Sequence, residues 1–106
     1  MAEADLKRRE AEELGEVFGR TLAEQTVELF GREITAEEAE ATAEVLRSEI
    51  LRVGGEMMDE GIPTPLVIAW GDACAKALQS RLTEHGGPFS ALAKLLGPKT
   101  GDATRQ

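Results

Sequence analysis

The chain has 106 residues, of which 42% are hydrophobic and 30% charged, and its formal net charge is −8. This length supports one hydrophobic core and therefore one domain. A single cysteine, Cys74, excludes an internal disulfide, and the longest apolar run, Leu66 to Trp70, is too short to span a membrane. Because residues 1–16 are charged and lack the apolar stretch of a secretion signal, we expect a cytoplasmic protein.

The first predicted helix runs from about Asp5 to Phe30 and carries a row of small residues. The row repeats at every fourth position and ends at a valine: Ala11, Gly15, Gly19, Ala23 and Val27. Positions four apart lie on one face of a helix, and each interior glycine costs roughly 1 kcal/mol relative to alanine. We therefore predict that another helix lies very close to this row, which we call the small-residue ridge.

A bulkier apolar stripe lies beside the ridge on the same helix. It consists of Leu14, Val17, Phe18, Leu22 and Leu29, with Thr21 and Gln25 along the same line. Apolar residues at this spacing are typical of the face with which a helix packs into a core. The first helix is therefore predicted to pack through one broad side, which carries bulky apolar residues in one part and small residues in the other.

The second predicted helix has clear signals at both ends. Thr35 followed three residues later by Glu38 forms a capping box, and Gly61 is placed to end the helix, with Ile62 contacting Met57 across the cap. Between these ends, apolar residues recur at alternating spacings of four and three positions. They form one seam along the helix, which is predicted to face a partner helix. It consists of Ala39, Ala43, Leu46, Ile50, Val53 and Met57.

The third predicted helix begins after a sharp turn, with Thr64 as its cap and Pro65 at its first position, and reaches about His85. It is apolar over more than half its circumference, which predicts a central place in the bundle. A short helix from Pro88 to Leu96 follows as a lid. We predict an all-α fold, a compact bundle of three long helices plus a short C-terminal helix, in which residues 1–97 form a single helical domain and residues 98–106 a disordered tail.

Two interpretations of the small-residue ridge remain open. Gly71 and Ala75 on the third helix form a second small row, so the ridge can cross that helix within the chain. Alternatively, the ridge meets a second copy of the protein, since two-fold pairs are the commonest oligomers. Arg81 projects from the apolar side of the third helix and is predicted to pair with a glutamate, within the chain or across a dimer. The predicted interface residues are Ala11, Gly15, Gly19, Ala23, Val27 and Arg81.

No residues are predicted to act in catalysis or to bind a cofactor or metal. The one histidine, His85, is not part of a Glu-x-x-His motif, so a helical di-iron site has no ligand set. His85 and Cys74 would stand about 16 Å apart along one helix axis, too far for a nucleophile and its base. The third helix begins without basic or amide side chains, which argues against reading of DNA.

These observations predict a non-enzymatic helical protein–protein interaction module that forms a homodimer, without direct contact to nucleic acid or membrane. Residues 1–61 carry 17 acids and seven bases, which leaves a basic protein as an alternative partner and an acidic, nucleic-acid-mimicking inhibitor as an alternative function. A second alternative is a small ligand carrier or enzyme with a pocket under the C-terminal helix.

Overall fold

The computed structural model describes residues 2–31 and 33–96, with side chains from residue 7 onwards. These residues form four helices and no strand: α1 (Ala2–Phe30), α2 (Ala36–Asp59), α3 (Thr64–His85) and α4 (Pro88–Leu95). The predicted all-α bundle of three long helices and a short C-terminal one is confirmed. The tail predicted at residues 98–106 lies outside the described residues.

Helix α2 begins and ends as its sequence predicts. The Glu38 amide donates to Thr35 Oγ1 at 3.1 Å, and the Thr35 amide donates to Glu38 Oε1 at 2.9 Å, so both halves of the capping box are present. At the other end Gly61 adopts a φ of 94°, a left-handed conformation that favours glycine. This turn lets the Ile62 amide donate to the Met57 carbonyl at 3.1 Å.

Three predicted helix boundaries differ from the structure: α1 begins at Ala2, three residues before the predicted Asp5, and two others differ by one residue. Thr64 is the first residue of α3, and the cap position belongs to Pro63, which offers no side-chain hydrogen bond. The Thr64 hydroxyl instead lies 3.9 Å from the sulfur of Met58. Helix α4 ends at Leu95, and Leu96 is its C-cap.

Helix α3 packs against all three other helices, which confirms its predicted central place. Helices α1 and α3 run parallel, since Gly15 lies against Ala73 and Gly19 lies against Ala77 one turn further along. Helix α2 runs in the opposite direction, and its Gly54 lies 3.5 Å from the side chain of Val67, measured from the Cβ position. By contrast, α1 and α2 approach each other closely at few points.

The hydrophobic core draws on all four helices. Its buried members are Leu22, Ala23, Ala39, Ala43, Leu46, Cys74, Leu78, Leu82, Phe89, Leu92 and Ala93. The last three come from α4, so this short helix fills part of the core with its apolar side. It is also tied to its neighbours by hydrogen bonds: Gln79 Nε2 donates to the Ala93 carbonyl at 3.1 Å, and the Arg47 guanidinium donates to the Leu95 carbonyl.

Candidate functional site

The small-residue ridge of α1 lies against the backbone of α3. A Cβ atom added at Gly15 would stand 3.1 Å from the Cβ of Ala73 and well under 3.0 Å from the carbonyl oxygen of Trp70. One at Gly19 would stand 3.0 Å from the Cβ of Ala77 and well under 3.0 Å from the carbonyl oxygen of Cys74. Only glycine leaves room for this approach, so the ridge serves packing within the chain.

The surface of α3 that meets the ridge is not the predicted one. Gly71 has no neighbouring atom within 4 Å of a built Cβ position, so the expected row of Gly71 and Ala75 does not receive α1. Its place is taken by Ala73 and Ala77. The remaining predicted interface residues of the ridge are also covered within the chain, as Ala11 and Ala23 are buried and Val27 packs against the core. Of the five residues of the ridge, Val27 alone is only half-buried.

Arg81 forms its ion pairs within the chain. Its guanidinium pairs with Glu24 of α1 and with Glu84 of its own helix, the latter at 2.8 Å. His85 Nε2 lies 3.5 Å from the same Glu24 carboxylate. The hydrogen bond from Arg81 is the main reason why the pKa of Glu24 lies below its ordinary value of 4.5. Arg81 therefore links the end of α3 to α1 within the chain.

We expect Arg81→Met to raise the pKa of Glu24 towards 4.5, because the substitution removes both the hydrogen bond and the positive charge. A carboxylate whose pKa is lower in the folded than in the unfolded state stabilises the fold above its ordinary pKa. This contribution is lost as the pH falls through the folded-state value. A carboxyl NMR titration measures the pKa directly.

The matched control for Arg81→Met is Arg52→Met. Arg52 holds down the pKa of Glu49 on α2 in the same way, so its removal should raise that pKa and leave Glu24 alone. A pKa of Glu24 that does not respond to Arg81→Met would show that the pair between α1 and α3 does not persist in solution.

Part of the bulky stripe of α1 is exposed, contrary to its predicted role in core packing. Leu14 is 64% exposed, Val17 57% and Leu29 78%. The stripe and the ridge compete for the same neighbour, and a helix can turn only one of them fully towards α3. The ridge faces α3 because its small residues let the two backbones approach. This orientation buries Phe18 partly against Trp70, with ring centroids 5.4 Å apart. It leaves the outer residues of the stripe uncovered.

This uncovered part of the stripe borders a groove between α1 and α2. The groove has a volume of about 380 Å³ and is mostly apolar; its lining includes Leu22, Gln25, Leu29, Val45, Leu46 and Glu49. Leu14 and Thr21 continue the line of Gln25 and Leu29 along α1 at helical spacing. We call the set Leu14, Val17, Thr21, Gln25 and Leu29 the exposed stripe.

Val45 was not predicted to belong to a functional site. It is 64% exposed on the α2 wall of the groove and lies one position before the seam residue Leu46. The sequence did carry a signal for this position: Val45 is apolar, yet it lies outside the alternating spacing of four and three residues that defines the seam. Val45 on α2 and the exposed stripe on α1 therefore lie on the two sides of the groove.

A second cleft lies on the other side of α1, between α1 and α3, and has a different character. Its volume is about 540 Å³, and its rim carries four acids and four bases above alanines of α3. Several of these charges pair with each other, as in Arg8 with Glu12 at 3.4 Å and Arg20 with Glu16 at 3.8 Å. Exposed pairs of this kind contribute little to stability, and they leave the cleft without a net charge to attract a ligand.

Cys74 is buried where α1 meets α3, with its backbone between the two ridge glycines. Burial raises the pKa of its thiol to about 12, so the thiol stays protonated at neutral pH, whereas the thiolate is the form that reacts. Within residues 7–31 and 33–96, no three side chains of the metal-binding types are grouped as a metal site requires. The helices of the described part of the chain include none with the length and apolar character needed to cross a membrane.

Comparison with known proteins adds no relative: no family model matches the sequence, and neither a curated protein nor a solved structure is significantly similar to it. Among the surfaces described, the groove with the exposed stripe combines solvent-exposed apolar side chains with a mostly apolar lining.

Proposed function

We propose that this chain is a non-enzymatic helical protein–protein interaction module that self-associates through the groove between α1 and α2 and the exposed stripe beside it. The observation that carries the proposal is the exposure of Leu14, Val17, Leu29 and Val45 along one side of the bundle. An apolar groove between two helices that do not close on each other accepts a further helix, as helix-binding grooves do.

The size of the apolar surface supports a reversible contact. Fully burying one large aliphatic side chain contributes roughly 1.5–3 kcal/mol. Four such residues in each copy of a two-fold pair give a gain on the order of 10 kcal/mol, which is comparable with the cost of bringing two copies together. We therefore expect a dimer that forms in a concentration-dependent way instead of a permanent one.

The charge pattern favours a second copy of this chain as the partner. From Leu14 to Leu29 the exposed stripe covers about 22 Å, and its five members are all uncharged, although 30% of the chain is charged; the one acid that borders it over this length is Glu28. A surface that mimics nucleic acid would present carboxylates to its partner along this length. Two uncharged stripes can face each other without desolvating an ion pair.

Val45→Glu should weaken self-association about 100-fold or more, since it removes an apolar contact and places a carboxylate in the interface of both copies. The matched control is Leu51→Glu, which adds the same charge at a residue of α2 that is 74% exposed and does not line the groove. Sedimentation equilibrium over micromolar to millimolar concentrations measures both dissociation constants.

A wild-type protein that remains monomeric at all these concentrations would overturn the proposal. Equal weakening by both substitutions would also count against it, because a general increase in negative charge would then explain the effect. If the monomer instead binds a basic protein and high salt abolishes that binding, the acidic inhibitor becomes the better explanation.

A further inference from the structure

We infer that Arg52 determines what the groove between α1 and α2 accepts, because it pairs with Glu49 and so keeps an unpaired carboxylate out of the contact with a second copy. The inference rests on the proposed self-association through this groove and adds a specificity-determining residue to it. Arg52 does not itself line the groove and acts on the occupant through Glu49.

The groove carries a charge that the exposed stripe does not. Among the described residues that line it, Glu49 alone is charged, and it follows Val45 by about one helical turn on the α2 wall. The Glu49 side chain is 37% exposed, so water reaches it in a single copy. An apolar surface laid into the groove would remove part of that water. A carboxylate that loses water without gaining a partner is strongly unfavourable.

Arg52 supplies that partner from the same helix. Its Nη2 donates to Glu49 Oε2 at 2.6 Å and its Nε donates to Glu49 Oε1 at 3.4 Å, so both carboxylate oxygens are bonded. Its Nη1 donates to Glu56 Oε2 at 2.7 Å, and this second acid holds the guanidinium without lining the groove. The hydrogen bond from Arg52 is also the main reason why the pKa of Glu49 lies below its ordinary value.

This pairing affects which partner the groove favours. In a single copy the pair is exposed to water and contributes little to stability. When an apolar surface covers it, the attraction between the two charges grows because water leaves, and both oxygens of Glu49 keep their hydrogen bonds. A basic partner would have to compete with Arg52 for this carboxylate. The groove therefore suits an uncharged surface, such as the exposed stripe of a second copy.

Arg52→Met tests the inference. It leaves Glu49 charged and without its partner in the groove lining, so we expect self-association to weaken about tenfold. The matched control is Arg20→Met, which removes the same charge and breaks an exposed ion pair with Glu16 at the cleft on the other side of α1. Its association should stay within about twofold of wild type. Sedimentation equilibrium gives the dissociation constants, and circular dichroism checks that both variants remain helical.

Glu49→Gln distinguishes this role of Arg52 from a merely structural one. Added to Arg52→Met, it removes the unpaired charge, and association should return to within about twofold of wild type. Glu49→Gln by itself should leave association at least as strong as in the wild type, because an amide carries no charge that needs an arginine when water is removed.

The outcomes separate this inference from the proposed function. If the wild type dimerises and Arg52→Met dimerises equally well, or if both arginine variants weaken the dimer alike, the inference is overturned and self-association stands. A double variant that stays as weak as Arg52→Met would also overturn it, because Arg52 would then act independently of Glu49. A wild type that is monomeric at every concentration overturns the proposed function together with the inference.

Discussion

Gly19→Ala should destabilise the fold by about 3 kcal/mol, although alanine is the better helix former. The new methyl group would meet the carbonyl oxygen of Cys74 at well under 3.0 Å and the Cβ of Ala77 at 3.0 Å. Backbone atoms of a packed helix cannot turn aside as the end of a flexible side chain can. Helices α1 and α3 must therefore move apart, which loosens the closest contact in the bundle and exposes Cys74 and Leu78 beneath it.

Gly71→Ala is the control for Gly19→Ala within the same pair of helices. Gly71 lies in the middle of α3 with no neighbouring atom within 4 Å of the added methyl group. Its replacement should stabilise the fold by about 0.5–1 kcal/mol through helix propensity alone. Urea denaturation followed by circular dichroism gives both free energies of unfolding. Changes of the same sign for the two variants would contradict the close approach of α1 to α3.

Leu92→Ala should also be strongly destabilising, by about 2–5 kcal/mol. The Leu92 side chain is fully buried in the main core, together with Phe89 and Ala93 of the same helix. Removing it leaves a cavity among residues of the surrounding helices, so the loss should appear in the unfolding of the whole domain. The control Leu51→Ala, at a leucine 74% exposed on α2, should change stability by no more than about 0.5 kcal/mol.

The Leu92→Ala result also bears on the alternative of a ligand pocket closed by a C-terminal lid. A lid would open separately, and its loosening would appear in hydrogen exchange as faster exchange confined to α4. We expect α4 and α3 to lose protection together, since Gln79 and Arg47 bond to the end of α4. Faster exchange in α4 with an unchanged global stability would support the lid.

Most of the fold was predictable because interactions between residues close together in the sequence determine the ends of the helices. The capping box of Thr35 and Glu38 and the glycine turn at Gly61 involve neighbours in the chain, so their hydrogen bonds depend little on the rest of the molecule. The central place of α3 was also predictable, because a helix with so wide an apolar surface must be covered on several sides. The boundary error at Thr64 arose because Pro63 occupies the cap position and the helix starts one residue early.

The candidate site was less predictable because it consists of apolar residues that the packing of the helices leaves exposed. Leu14 and Leu29 follow the same helical spacing as core residues, and periodicity cannot tell a covered stripe from an uncovered one. Val45 differs from its neighbour Leu46 by a rotation of one residue about the helix, yet one is 64% exposed and the other buried. The predicted seam separates Leu46 from Val45, but only the distance between α1 and α2 shows that the groove beside Val45 stays open.

The sequence by itself determined that the chain forms helices, where those helices begin and end to within three residues, and that two glycines of α1 require a close neighbour. Each of these follows from backbone hydrogen bonding and side-chain volume over a few turns. Tertiary structure alone decided that this neighbour is α3 of the same chain and that α1 and α2 stay apart. The reason is geometric: once the ridge has docked on α3 at backbone contact, the direction in which the stripe points is settled, and Leu14, Val17 and Leu29 face outwards.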